Sequence, residues 1–398
     1  MTVVTAETFV QAPLKSAYRA FTNSTSLREW LCDVATVDVH PRGRMYLWWR
    51  GDFYSSGHYL AIEENKSVKF RWYASIDPAP TEVNVVFTEK DGGVHVRMDH
   101  EVPSDESWKK IAEGFRENWE YSLRNLKSVL ETGIDLRIAE RPMLGIFPGD
   151  FSEEQAVALG VPVREGLRLD GLVDGMGAQH AGLQKNDVLV GMAGKPITND
   201  FNSLPNAIEG KKGGDVIEVV FYRGAEKMTV NMELSKRPMP DVPFEPAELA
   251  KRARALYELA LAELEKCFEG YTDEQAMKRP EANEWSALET VAHLIHGERF
   301  NTNYLSNLVD GYEPTTDGFG SNVNASVEAT MRANPSIRGM LDELRRISEE
   351  YMIYVELLPK EFVANKGSYY RLGQGLLQAN FHLNGHTEQI KAALEAAK

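Results

Sequence analysis

Asn380-Phe381-His382-Leu383-Asn384-Gly385-His386-Thr387-Glu388-Gln389-Ile390 sets two histidines four residues apart. On a helix, that spacing puts both imidazoles on one face, one turn apart. Two neutral imidazoles so placed can hold a transition metal. A third histidine, His293, lies far upstream in Glu284-Trp285-Ser286-Ala287-Leu288-Glu289-Thr290-Val291-Ala292-His293-Leu294. If the two helices pack side by side, three nitrogen ligands converge and leave coordination positions open. That is the pattern of a reactive metal site rather than a purely structural one.

The flanking sequence is helical from Pro246 onward. A first helix is expected over about Ala247 to Phe268, with Leu249, Ala253, Leu256, Ala260 and Leu264 as its stripe. A second starts after Ser286, which forms a capping box with Glu289. A loop rich in Gly, Asn, Thr and Asp is expected from Gly311 to Asn334. Asn334-Pro335 then reads as a helix start, and Pro359 ends the helix that follows. The last helix is expected over about Leu372 to Ala397. Four long helices predict a bundle whose site is built from inward-facing side chains.

Trp285-Ser286 with Glu289, His293-Leu294, Glu298-Arg299-Phe300, and His382-x-x-x-His386 with Gln389-Ile390 resemble the DinB superfamily of metal-binding bundles. The resemblance covers residues 246–398. It implies His293, His382 and His386 as metal ligands, for Zn²⁺, Ni²⁺, Fe²⁺ or Mn²⁺. It also favours thiol transfer, since bacillithiol transferase and mycothiol-dependent isomerase relatives belong to the superfamily. His296, three residues after His293, is open to three roles: fourth ligand, outer acid–base, or satisfied core histidine. Glu298 and Glu388 could orient ligand rings from outside. Cys267, on an apolar helix, is expected to pack rather than react.

Residues 1–135 read as strand, helix, several strands and a long closing helix. Met45/Leu47/Trp49, Val68/Phe70/Trp72, Val83/Val85/Phe87 and Val94/Val96/Met98 alternate as an antiparallel sheet with one buried face requires. Ala12-Pro13 with Phe21-Thr22, Leu27-Arg28-Glu29-Trp30, Pro41-Arg42-Gly43 and Gly114-Phe115-Arg116-Glu117-Asn118-Trp119 resemble the START-like SRPBCC superfamily, in the branch of the heat-shock ATPase activator homologues. That implies an α+β helix-grip fold. Trp49, Phe70, Trp72 and Trp119 have two readings: a pocket for a small hydrophobic molecule, or plain core filling.

Residues 141–236 carry Met143-Leu144-Gly145-Ile146, Ala181-Gly182-Leu183-Gln184-Lys185-Asn186-Asp187-Val188-Leu189 and Gly194-Lys195-Pro196-Ile197. They resemble a mostly-β bacterial PDZ domain of the protease-associated type. The resemblance implies capture of a partner's C-terminal peptide by strand addition, with Leu144, Gly145 and Ile146 as the carboxylate loop and Leu204 and Ile208 lining the groove. The alternative is a spacer with an empty groove. Four prolines between Ser235 and Pro246 predict an extended, semi-rigid connection to the bundle.

The 398-residue chain is 43% hydrophobic, which fits packed cores and no membrane span. A formal charge of −15 opposes binding to nucleic acid. Two cysteines, Cys32 and Cys267, and no apolar leader fit a reducing cytoplasm. Two functions are therefore expected to compete. One is a cytoplasmic metal-dependent thiol transferase or hydrolase acting on a small molecule; the other is a non-catalytic stress or chaperone-associated adaptor of three binding modules.

Overall fold

The alternating apolar residues of the N-terminal segment form a seven-stranded antiparallel sheet. In chain order come β1 (Thr2–Val10), α1 (Leu14–Thr22), α2 (Ser24–Trp30), β2 (Val34–Val37), β3 (Arg44–Trp49), β4 (Phe53–Glu63), β5 (Ser67–Ala74), β6 (Thr81–Lys90), β7 (Gly93–Val102) and α3 (Glu106–Thr132). The strand order is β1-β7-β6-β5-β4-β3-β2. Asp91 and Gly92 both have positive φ between the paired Lys90 and Gly93, the two-residue turn that suits the twist of a hairpin. Val83, Val85 and Phe87 face inward and join Trp119, Leu123 and Leu126 of α3 in one core. The computed structural model describes residues 1–51, 53–313, 322–378 and 380–398.

The aromatic set packs on itself. Trp72 lies 5.2 Å from Trp119 and 6.0 Å from Trp49, ring centre to ring centre. Phe70, Trp72 and Trp119 are buried and Trp49 is half-buried. His100 joins them as a core residue and is 0% exposed. One of its ring nitrogens, Nε2, meets Thr81 Oγ1 at 2.7 Å, and Nδ1 accepts from Trp119 Nε1 at 3.1 Å. Burial pushes its pKa down to about 3. The folded protein therefore refuses a proton that the unfolded chain takes up below about pH 6.5. Stability should fall as pH drops from 6.5 toward 3, by at most about 1.4 kcal/mol per unit from this group. Acid titration of the unfolding midpoint checks this. His100→Gln should flatten the slope in that window, and an unchanged slope would remove His100 as its cause.

Leu136–Met239 is a compact unit of its own. It contains α4 (Leu136–Ala139), β8 (Ile146–Gly149), α5 (Glu153–Leu159), β9 (Leu167–Leu172), α6 (Gly177–His180), β10 (Val188–Met192), β11 (Lys195–Pro196), α7 (Ser203–Ala207), β12 (Val216–Arg223) and β13 (Glu226–Glu233). Strand order is β13-β12-β10-β9-β8, with β11 on β10. Strand β8 is thus an edge among the described residues. Asn186 adopts the left-handed turn its sequence allows, at φ 73°. Asp187 is buried and paired with Arg223 at 2.8 Å.

The rest of the chain is helical: α8 (Pro246–Lys266), α9 (Asp273–Met277), α10 (Ala287–Val309), α11 (Val323–Ala333), α12 (Ile337–Glu356), α13 (Lys360–Val363), α14 (Lys366–Gln378) and α15 (Asn380–Ala396). Three local expectations change. The loop expected from Gly311 to Asn334 contains helix α11, because Val327 and Thr330, three apart, bury one face of it; residues 314–321 of that stretch lie outside the described residues. The cap of α12 is Ser336, whose hydroxyl accepts from Gly339 N at 3.1 Å, not Asn334. The last helix is accounted for by α14 and α15, and residue 379 between them lies outside the described residues.

These helices and residues Met1–Asp135 form one compact unit. Helix α14 is the joint. Arg371 bonds Glu313 at 3.1 Å and lies 3.5 Å from Glu29 of α2. Arg28 reaches Glu313 at 2.9 Å, and Ser368 donates a very short hydrogen bond to Glu29. Both carboxylates are almost fully buried. Gly133, the left-handed C-cap of α3, has no room for a side chain: a Cβ would come within 2.4 Å of Lys366 O and Tyr370 Cβ. The proline-rich segment from Pro240 is docked as well. Tyr370 and Tyr369 donate to Pro240 O at 2.9 Å and Pro243 O at 3.0 Å. Phe244 stacks on Tyr369 at 5.6 Å.

Candidate metal centre

Helix α10 starts where its sequence says it should. Ser286 Oγ accepts from Glu289 N at 3.2 Å, and Ser286 N donates to Glu289 Oε2 at 2.8 Å. Arg279 clamps the same carboxylate with paired hydrogen bonds. This fixes the first turns of the helix and, with them, His293. Trp285, just before the cap, covers the His293 ring at 5.0 Å between centres. Helix α15 packs against α10 and brings His382 and His386 to the same place. The three ring centres are 4.7, 4.9 and 5.5 Å apart.

One nitrogen from each ring lies within 4.8 Å of the other two. His382 Nε2 and His386 Nε2 are 3.2 Å apart. Zinc–imidazole bonds of about 2.0–2.1 Å at a tetrahedral angle place ligand nitrogens about 3.3–3.4 Å apart. The pair therefore stands near ligand spacing. His293 Nδ1 is buried and has no hydrogen-bond partner. Burial, then the neighbouring rings of His386, His382 and His296, push the His293 pKa down to about 4. Burial and His386 lower His382 too. Neutral imidazoles with free lone pairs are what a divalent metal needs. The donor set fits the ion.

The orienting partner is Gln389, one position from the expected residue. Its Oε1 stands 2.9 Å from His386 Nδ1, and as a pure acceptor it fixes the proton on Nδ1 and leaves Nε2 free. Glu388 is 75% exposed and pairs with Lys391 at 2.7 Å. Replacing Gln389 with leucine should weaken zinc binding by roughly 10–100-fold with little change in fold, as outer partners usually do. Competition against a chromophoric chelator measures this; unchanged affinity would show that His386 needs no support.

His296 turns toward α11, where its Nδ1 meets Ser326 Oγ at 2.7 Å, and it is outside the trio. Glu298 also leaves the rings: Tyr257 donates to its Oε1 at 3.4 Å. Burial pushes the Glu298 pKa up to about 7, against the pull of Tyr257 and Asn301. Tyr257 was hidden from the sequence because Leu256 holds the neighbouring stripe position. Cys267 bonds only Glu263 O, and burial raises its pKa. That thiol is not activated.

Two hollows flank the trio. A groove of about 520 Å³ is lined by Trp285 and Gln389, the neighbours of His293 and His386. A cavity of about 410 Å³ is lined by His382, Glu298, Tyr257, Tyr304, Tyr351 and Arg371, among others. Either is large enough for a small molecule.

In the Leu136–Met239 unit, Leu144 and Ile146 pack against the same core as Leu204 and Ile208. Gly145 turns the chain at φ 76°, and its carbonyl accepts from Val173 N at 2.9 Å. Loop, edge strand β8 and α7 thus share one core.

Known families match two parts of the chain. Residues 11–131 match the family described as Activator of Hsp90 ATPase homolog 1-like protein, and residues 217–390 match the DinB superfamily. The chain is multidomain, with an α+β activator-homologue domain and a helical DinB region. The second match begins inside β12, ahead of the first bundle helix. The curated protein Serine protease Do-like HtrA of Bacillus subtilis (strain 168) is 24% identical over 178 residues, 41% of this chain and 39% of that protein. The chain therefore spans about two fifths of that relative's length. Solved structures that resemble it include the Aha1 dimer from Colwellia psychrerythraea, at TM-score 0.30 and 16% identity over 33% of this chain and 97% of that one. Another is PFC0360w, an HSP90 activator from Plasmodium falciparum, at TM-score 0.29 and 19% identity over 33% and 96%. No helix among the described residues is long and apolar enough to cross a membrane.

Proposed function

We propose that the bundle is a metal-dependent enzyme acting on a small molecule, by thiol transfer to an electrophile or by hydrolysis. The observation that carries this is the convergence of His293, His382 and His386 within ligand distance, between two hollows. A zinc ion held by the three rings, or Ni²⁺, Fe²⁺ or Mn²⁺, would supply Lewis acidity that brings a thiol or water toward ionisation near neutral pH. The chain's own residues hold the rings in register through Gln389 and Trp285 and screen the site on the His293 side. The attacking sulfur or oxygen comes from substrate or water, since the Cys267 thiol is not activated.

The helix-grip domain would receive a hydrophobic molecule around Trp49, Phe70, Trp72 and Trp119. The Leu136–Met239 unit would take a C-terminal peptide at the outer edge of β8, between the Leu144–Ile146 loop and Leu204 and Ile208. The edge position of β8 also favours the second reading, an adaptor of linked binding modules without a reaction. One experiment separates them. Protein purified without chelator should hold about one divalent metal per chain, read by elemental analysis. It should also consume a thiol and a model electrophile, or a model ester, in a metal-dependent way. Metal without turnover across a broad panel would favour the adaptor, and absence of bound metal after loading would end the enzyme reading.

A further inference from the structure

Glu298 is a buried acid with no ion-pair partner among the described residues. It is 5% exposed, on the inward face of α10. Its Oε1 takes a long hydrogen bond from Tyr257, its Oε2 makes no well-formed hydrogen bond among the described residues, and the Asn301 amide adds only a further pull on the carboxyl. Buried carboxyl groups are ordinarily paired or fully hydrogen-bonded, because removing them from water is costly. The nearest cation in the same cavity is already committed: Arg371 is shared between Glu29 and Glu313. The neighbouring Arg299 is taken by Glu343 and Thr330. Glu298 itself lines a hollow of about 410 Å³ that reaches His382.

The rest of that wall is mostly aromatic and aliphatic, with Asn301, His382 and the already paired Arg371 as its other polar groups. Tyr257 and Tyr351 stand by the acid, and Leu308 and Leu376 contribute apolar surface. An ammonium group brings three donors and no acceptor, which suits a carboxylate with an open oxygen. Tyrosine faces add favourable contact to a cation out of water. An alcohol or carboxylic acid would lack that match, and the carboxylate would add a like charge to a buried acid. We propose that this cavity binds a small primary amine with an aromatic or apolar body, its ammonium received by Glu298. The inference rests on the metal reading only in placing the far end of the ligand near His382; binding at Glu298 is independent of the ion.

Calorimetry on the full-length, zinc-loaded protein tests it with two probes of the same body, 2-phenylethylamine and 2-phenylethanol. The amine should bind at least tenfold more tightly than the alcohol. Glu298→Gln should erase that preference while leaving metal content unchanged. Leu376→Trp, which fills the cavity and keeps the acid, should abolish binding of both probes. The same titration on metal-stripped protein should keep the amine preference. Equal binding of the two probes overturns the proposal, as does a preference that survives in Glu298→Gln or binding that survives in Leu376→Trp. A preference that disappears with the metal also overturns it, because the amine would then be a ligand of the ion. Metal content, measured separately, reports failure of the metal reading without touching this result.

Discussion

Replacing Arg371 with methionine should cost the Met1–Asp135 and Pro240–Lys398 unit about 3 kcal/mol, the low end for breaking a buried ion pair. The low end applies because the Arg371 side chain is 29% exposed, so some water shares the work. The physical cause is what remains. Glu29 and Glu313 would be left buried near one another, held by Arg28, Tyr304 and Ser368 and by the pull of Arg19 on Glu29. Burial already raises the Glu29 carboxyl, and Arg371 is the main group that opposes this. Glu313 is kept low against burial by Arg371, Tyr304 and Arg28 together. Without the guanidinium both should hold protons more tightly in the fold than in the unfolded chain. The deficit then grows as pH rises above about 4.3, the ordinary carboxylate value, and shrinks in acid. Adding Glu29→Gln and Glu313→Gln to the variant should recover much of the loss at neutral pH, since neutral amides leave no charge behind. All seven tryptophans lie in this unit, so denaturant unfolding followed by tryptophan fluorescence reports it alone. A loss below about 1 kcal/mol would mean the network behaves like a surface pair.

His386→Ala should nearly empty the metal centre. It removes one of three nitrogens and the only ring tethered by Gln389. A zinc affinity lower by at least about 100-fold is expected, beyond the 10–100-fold typical of losing an orienting partner. At a free zinc concentration a hundred times the dissociation constant, binding stabilises the native state by about 2.7 kcal/mol. The variant should lose nearly all of that increment while its metal-free stability stays close to wild type, because His386 is only half-buried. Thermal unfolding with and without zinc reads the difference, and cobalt absorption reports the change in ligand set. An unchanged zinc-induced shift would place the ion elsewhere and dissolve the trio as a site.

The three histidines were legible because two lie one turn apart and the third follows a strong helix start at Trp285-Ser286. Periodicity and capping act over a few residues, and sequence displays them openly. The long strands of the helix-grip domain were legible for the same reason. Arg371 was not: its partners Glu29 and Glu313 come from distant stretches, and nothing local marks a pair that only packing creates. Glu298 was noticed, but as a support for a ring. Its true setting, beside Tyr257 and facing a hollow, depends on how α8 and α10 meet. Helix α11 was missed because the Gly- and Asn-rich residues before it set the tone of the whole stretch, and two buried side chains outweighed that composition.

The point where the chain leaves the larger unit and the point where it returns share one residue. Gly133 lies against Tyr370 Cβ, and the hydroxyl of the same tyrosine holds Pro240 O. Residues 136–239 are thus an insertion in the sequence of the host, and the host residues on either side of it, Gly133 and Pro240, meet at Tyr370. Such an insert can be cut out and its ends bridged by a few glycines and serines, and the host should still fold and keep its histidines together. The same layout would let the insert be exchanged for another without disturbing the fold of the host.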